Sequence, residues 1–277
     1  MIDFFITIFY TYNGDEMENY LKGKIENKKS MIFLILFRSI SVIIILISLY
    51  LIFNWYSENQ ASKKLLEKAV SNIKIEKVLV KTKEYTVLDV NFEELIKINN
   101  DTTGWINLEN SSINYPVVKT KDNYFYLNHT FDKSYNSSGW IFEDYRCKPN
   151  FTSKNTTIYG HNRKDTSMFA TLKNVIEEDW YKKSKYLTIT TPEGNRIYEV
   201  FSTYKIKAET YYSTPDFISD SEYFEFLKNI KNRSVYDFGA APSISDSIVT
   251  LSTCANNNSY RVVLHAKLVS IIPNNKQ

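Results

Sequence analysis

From Met31 to Phe53 the chain reads MIFLILFRSISVIIILISLYLIF, an apolar run interrupted only by Arg38 and a few hydroxyl residues. Roughly 20 such residues cross the hydrocarbon core of a bilayer, and only as a helix, because lipid offers the backbone no hydrogen-bond partners. An arginine at the centre of such a helix costs about 2.5–3.5 kcal/mol on insertion scales, and less when it reaches an interface. Arg38 lies in the first third of the run, and the surrounding Ile, Leu and Val residues outweigh it. Lys22, Lys24, Lys28 and Lys29 precede the run. Positive charge stays inside, so the spacing predicts a cytoplasmic N-terminus and a single pass. Lys63, Lys64 and Lys68 on the far side weaken that orientation without reversing it. A cleaved signal peptide would have a core of about 7–15 residues and a small-residue cleavage site. Here Asn54-Trp55-Tyr56 follows, and the two aromatics read as an interfacial anchor. The run is therefore expected to stay as a signal anchor. Met1–Tyr12 is apolar but too short to span, and Met17 is an alternative start.

Beyond the anchor the chain reads as globular, with 43% hydrophobic and 23% charged residues. A net charge of +3, without a basic stripe interleaved with aromatics, argues against nucleic acid as a partner. The expected divisions are a cytoplasmic segment (1–30), the anchor (31–53), a helical stalk (54–100) and a β-rich domain (101–277). Leu65, Leu66, Ala69, Val70 and Ile73 form an apolar stripe at helical spacing, with Ser57 or Ser62 as its cap. A short helix is expected over Phe92–Ile98 after Asn91. From Thr103 on, the pattern turns to short strands: 104–108, 113–118, 139–143, 156–159, 186–190, 196–207, 247–253 and 261–272. Two helices interrupt them, Thr171–Tyr181 and Ser221–Ile230. The second is expected to bury Phe224, Leu227 and Ile230, with Asp220 or Ser221 as its cap. The fold class is mainly β with peripheral helices, a barrel or a sandwich.

Only two cysteines occur, Cys147 and Cys254. Cys147 sits among charged residues without a partner motif, and a disulfide would consume the more informative thiol. Cys254 ends Thr250-Leu251-Ser252-Thr253-Cys254, and Arg261 opens the next strand. His161, in Tyr159-Gly160-His161-Asn162, follows a strand-like run at a glycine. A thiolate attacks a carbonyl, an imidazole moves the proton, and a guanidinium steadies developing negative charge. Arg261 would also favour the thiolate of a group whose free pKa is about 8.5. His265 lies four residues beyond Arg261, about 13 Å along the strand at roughly 3.3 Å per residue, a poor proton partner for Cys254. His129 reads as structural. No ligand cluster argues for a metal, and no cofactor is expected.

The segments TLSTC with its nearby arginine, YGHN followed by Met168-Phe169-Ala170-Thr171-Leu172, GWINLENSSINYPVV and DNYFYLNHTF resemble a class B sortase over roughly Asp101–Leu268. A long connection with an internal helix, before the strand carrying Cys254, separates class B from class A. The resemblance implies an eight-stranded β-barrel with peripheral helices, tethered to a Gram-positive membrane. It implies a transpeptidase that cuts a C-terminal sorting signal after Thr, holds a thioester, and passes the protein to a peptidoglycan amine. Cys254 then matches the nucleophile, His161 the general acid/base and Arg261 the substrate or oxyanion stabiliser. Asn123, Leu127, Tyr159, Tyr212 and Ser252 fall where class B enzymes line the signal groove. Partners implied are secreted proteins with an NPQTN-like or (S/P)PxTG-like signal and a peptidoglycan precursor amine. Ala255 stands where some relatives carry an acid. Rival readings are a cell-wall cysteine endopeptidase and a tethered β-barrel that only binds. An L,D-transpeptidase would place Gly, not Thr253, before the nucleophile. A papain-like hydrolase would place its histidine after the cysteine.

Overall fold

In the computed structural model, residues 28–80, 83–183, 185–255 and 259–274 are described, with backbone alone for 28–33, 80, 254 and 255. Met1–Tyr12, Met17, Lys22 and Lys24 lie outside the described residues, as do residues 256–258. The chain divides into two compact units, 1–57 and 58–277.

Helix α1 spans Lys28–Val70. Its part from Leu34 is long and apolar enough to cross a membrane. The Ile, Leu, Val and Phe side chains of 35–53 are exposed on every face, so this stretch is not a core helix. Ser39, Ser41 and Ser48 donate to the carbonyls of Ile35, Phe37 and Ile44, which satisfies their hydroxyls without water. Because α1 is continuous, neither Ser57 nor Ser62 caps a helix, a correction to the expected stalk.

Two further corrections follow the end of α1. The Ser71 hydroxyl and the Asn72 amide fold back onto the Lys68 carbonyl and stop the helix. Ile73 therefore opens strand β1 (Ile73–Val80), which pairs antiparallel with β2 (Lys83–Val90) where helix was expected. Helix α2 (Phe92–Ile98) begins as expected, with the Asn91 side chain accepting from Glu94 N.

Eight strands close a barrel: β3 (Thr102–Leu108), β4 (Asn114–Val118), β5 (Phe142–Glu143), β6 (Asn155–Tyr159), β7 (Tyr186–Thr191), β8 (Gly194–Lys207), β9 (Ile248–Ala255) and β10 (Tyr260–Pro273). Around the barrel the order is β10-β8-β7-β3-β4-β5-β6-β9. The β4/β5 and β6/β9 pairs are parallel and the others antiparallel. Trp105, Trp140, Ile158, Ile189, Leu251 and Leu264 are fully buried in the core.

The expected helix over 171–181 is two pieces. A 3-10 segment, Ala170–Ile176, stops at Glu177, whose extended backbone precedes α3 (Glu178–Lys183). Helix α4 spans Asp220–Asn232, and its cap is Ser219, which accepts from Glu222 N. It buries Tyr223, Phe226, Leu227 and Ile230 against Phe201 and Ile248, while Phe224 faces out. The buried set has the i, i+3, i+4, i+7 spacing of one helix face. Tyr223 belongs to that face because its hydroxyl finds two acceptors, the carbonyls of Lys154 and Asp246.

Candidate active site

Strand β9 lies between β6 and β10, and this places the site. On one side, Cys254 is the antiparallel partner of Arg261. On the other, the parallel register pairs Tyr159 with Ser252, and Gly160 N donates to the Ser252 carbonyl. Neighbouring strands run about 4.8 Å apart. Residue 161 therefore emerges beside residues 253–254 as β6 ends. The side chain of Cys254 lies outside the described atoms.

A cavity of about 190 Å³ opens here, lined by Asn123, Leu127, Phe142, Tyr159, Gly160, His161, Ser252, Thr253 and Arg261. Its walls are mostly apolar, and Arg261 is the one arginine among them. The structure thus brings together His161, Arg261, Asn123, Leu127, Tyr159 and Ser252 from the sequence-expected set. Tyr212 stands behind the wall. It is buried, and its hydroxyl shares a 2.9 Å hydrogen bond with the Ser252 hydroxyl. Phe142 and Thr253 line the cavity without having been expected there; neither carries a sequence signal beyond that of a strand residue.

His161 is held tightly. Its Nε2 lies 2.7 Å from the Leu127 carbonyl. A carbonyl only accepts, so Nε2 carries a proton and the basic lone pair of the neutral ring is on Nδ1. Gly139, at φ +58, packs its backbone on the ring; a Cβ there would lie 2.8 Å from His161 Cδ2 and 2.6 Å from the Tyr126 carbonyl. Gly160 has the same need for close approach, since a Cβ would meet Ile141 at 2.5 Å and Phe169 at 2.6 Å.

The cavity wall is braced from behind. The Tyr159 hydroxyl donates to Asp144 Oδ2 at 2.9 Å, and Arg146 grips the same carboxylate through Nε and Nη2 at 2.9 and 2.7 Å. Arg146 Nη2 also donates to the Ser213 carbonyl and hydroxyl, next to Tyr212. Burial alone would raise the Asp144 pKa, but hydrogen bonds from Arg146 and Tyr159 outweigh it and hold the carboxyl below its ordinary value. Asn123 is fixed by accepting from Tyr145 N at 3.0 Å.

The remaining candidates stand apart from the cavity lining. His265 is buried between Tyr204 and Thr250, with 2.8 Å to each hydroxyl. Thr250 donates its proton to Asn155 Oδ1, so Nδ1–H donates to Thr250 and Nε2 accepts from Tyr204. Burial, then the Arg233 charge, push its pKa down to about 3, so the ring is neutral. His129 stacks on Phe125 at 4.0 Å and bonds its carbonyl, a structural role. Cys147 is buried against the Asn155 carbonyl, and burial pushes its thiol up to about 12. Among the described residues no cluster of His, Cys, Asp or Glu is placed to hold a metal ion.

The sortase domain family matches residues 106–269. Sortase B of Staphylococcus aureus is 34% identical over 242 residues, covering 86% of this chain and 98% of that protein. A Staphylococcus aureus sortase B–substrate complex has a TM-score of 0.61 and 36% identity, covering 65% of this chain and 84% of that chain. A sortase B crystal structure complexed with triglycine has a TM-score of 0.62 and 36% identity, covering 65% and 85%.

Proposed function

The chain belongs to the sortase family of cysteine transpeptidases, and from that premise we propose that Cys254, His161 and Arg261 carry an acyl transfer from a sorting signal to a cell-wall amine. The observation that supports this most directly is the register of β9, which sets Cys254 against Arg261 on one neighbour and beside the His161 turn on the other. The Cys254 thiolate attacks the carbonyl carbon of a signal threonine. In forming, that thiolate passes its proton to Nδ1 of His161; the amide C–N bond then breaks as Nδ1 gives this proton to the leaving nitrogen, and a thioester remains. An incoming amine attacks the thioester, His161 takes the amine's proton, and the thiolate leaves. Arg261 steadies the oxygen that becomes negative in both steps. Asn123, Leu127, Tyr159 and Ser252 shape the groove for the signal, with Tyr212 supporting Ser252. The related structures in complex with a substrate and with triglycine support a peptide donor and an amine acceptor. The lysines before the apolar run and Arg38 within it support a cytoplasmic N-terminus, with the barrel outside.

The full chain in detergent, given NPQTN-like and (S/P)PxTG-like peptides with a panel of wall-peptide amines, should yield a ligated product by mass spectrometry. Hydrolysed acid should compete with it. If Cys254 acylates but every amine leaves only the acid, an endopeptidase replaces the transpeptidase.

Arg261→Lys should cost far more than its conserved charge suggests. A planar fork holds an oxyanion in a geometry an ammonium does not reproduce, and loss of one such donor typically costs about 10²–10³ in kcat. Steady-state peptide cleavage within threefold of the parent would remove Arg261 from the mechanism.

A further inference from the structure

Helix α1 does not end its work at the apolar stretch. Ser62 lies three and four residues beyond Asn59 and Glu58, so it shares a side of the helix with each of them. All three touch the two loops that hold His161. The Glu58 carbonyl accepts from Asn136 Nδ2 at 3.0 Å, and its carboxylate accepts from the Ser137 hydroxyl at 2.5 Å. Ser62 and Ser138, both buried, share a hydrogen bond of 2.6 Å. The Asn59 side-chain oxygen accepts from Arg163, two residues past His161.

Ser138 immediately precedes Gly139, whose backbone lies against the imidazole. The loop that begins after the Leu127 carbonyl, the acceptor of His161 Nε2, returns through Asn136, whose N–H bonds the Asn128 carbonyl. On the other side, Phe169 N donates to the His161 carbonyl, closing the 161–169 loop that Arg163 belongs to. One helical turn therefore ties down both the segment that receives the His161 ring and the segment that presents it.

We propose that the turn Glu58–Ser62 is a positioning element for His161, coupling the end of the membrane-anchor helix to the proton-transfer step. This rests on the reading of His161 as the proton carrier. Such an element acts on the rate of the chemical step and leaves peptide binding largely alone, since none of its residues lines the cavity. Small displacements of a catalytic group carry large penalties, of the order of tenfold to a hundredfold.

The test uses the full chain in detergent with the double variant Asn59→Ala/Ser62→Ala, and Asn59→Asp as a rescue that keeps an acceptor for Arg163. The double variant should lose about tenfold in kcat with KM within twofold of the parent. Asn59→Asp should stay within twofold. Independently of activity, the His161 ring N–H, seen by NMR, should exchange with water about tenfold faster in the double variant, because its shelter at the Leu127 carbonyl is loosened. The proposal falls if the ring N–H exchanges as in the parent, if KM carries the loss, or if Asn59→Asp is as impaired as the double variant. A parent without transpeptidation but with a ring N–H that loosens as expected would instead sink the catalytic reading and leave the positioning role standing.

Discussion

Cys254→Ala should abolish acylation and cleavage of a sorting-signal peptide, a loss of ~10⁴-fold or more, as expected when a nucleophile is deleted. Cys147→Ala should keep activity within about twofold and cost roughly 1 kcal/mol of stability through lost packing. The contrast follows from environment. Burial pushes the Cys147 thiol to about 12, so almost none of it is thiolate near neutral pH. Cys254 sits across from a guanidinium-bearing residue in the strand pairing. Intact-mass measurement of a trapped acyl-enzyme reads the outcome directly. Comparable loss in both variants would remove Cys254 as the sole nucleophile.

The second large effect is on stability. His265 has a folded pKa near 3, while an exposed imidazole titrates near 6.5. Below pH 6.5 the unfolded chain takes up a proton that the folded chain excludes until about pH 3. Stability from this group is therefore complete above pH 6.5 and drains away as pH falls toward 3. At about 1.4 kcal/mol per unit, the loss reaches at most ~5 kcal/mol across the whole window. Urea unfolding at steps from pH 7 to 4 should show this one-proton slope in the parent and lack it in His265→Gln. Since Asp144 and other carboxylates titrate identically in both proteins, the difference between the two curves isolates the imidazole. Parallel curves would show that His265 does not control acid stability.

Runs rich in Val, Ile, Thr and aromatic residues, bounded by turn residues, located all eight barrel strands, six of them short and two of 14 residues. What it missed has physical reasons. Ile73 continued a helical stripe on paper, yet Ser71 and Asn72 turn their side chains back on Lys68 and stop the helix there. Phe224 was expected on the buried face in place of Tyr223, but a tyrosine whose hydroxyl is satisfied buries as readily as phenylalanine. Glu177 breaks an otherwise helical stretch through its own backbone conformation, which no periodicity reveals. Around the cavity, His161 and Arg261 were named from local motifs, and the lining positions Asn123, Leu127, Tyr159 and Ser252 from the family resemblance. The Asp144–Arg146 brace and the Glu58–Ser62 contacts were not. Each is a tertiary arrangement of ordinary polar residues, and nothing in their spacing says what they will meet.

The parallel pairing of β6 with β9 has a consequence for timing. Asn155 and Thr250, hydrogen-bonded across that pair, are 95 residues apart in the chain. Contacts of such long range form late, because the entropy of closing the intervening loop must be met before the pairing returns anything. The turn that carries His161 and the strand that carries Cys254 come together only when the barrel closes. A chain still emerging, or only partly folded, holds a cysteine without its imidazole neighbour. On the roles proposed for Cys254 and His161, acyl transfer in this fold waits on completion of the barrel.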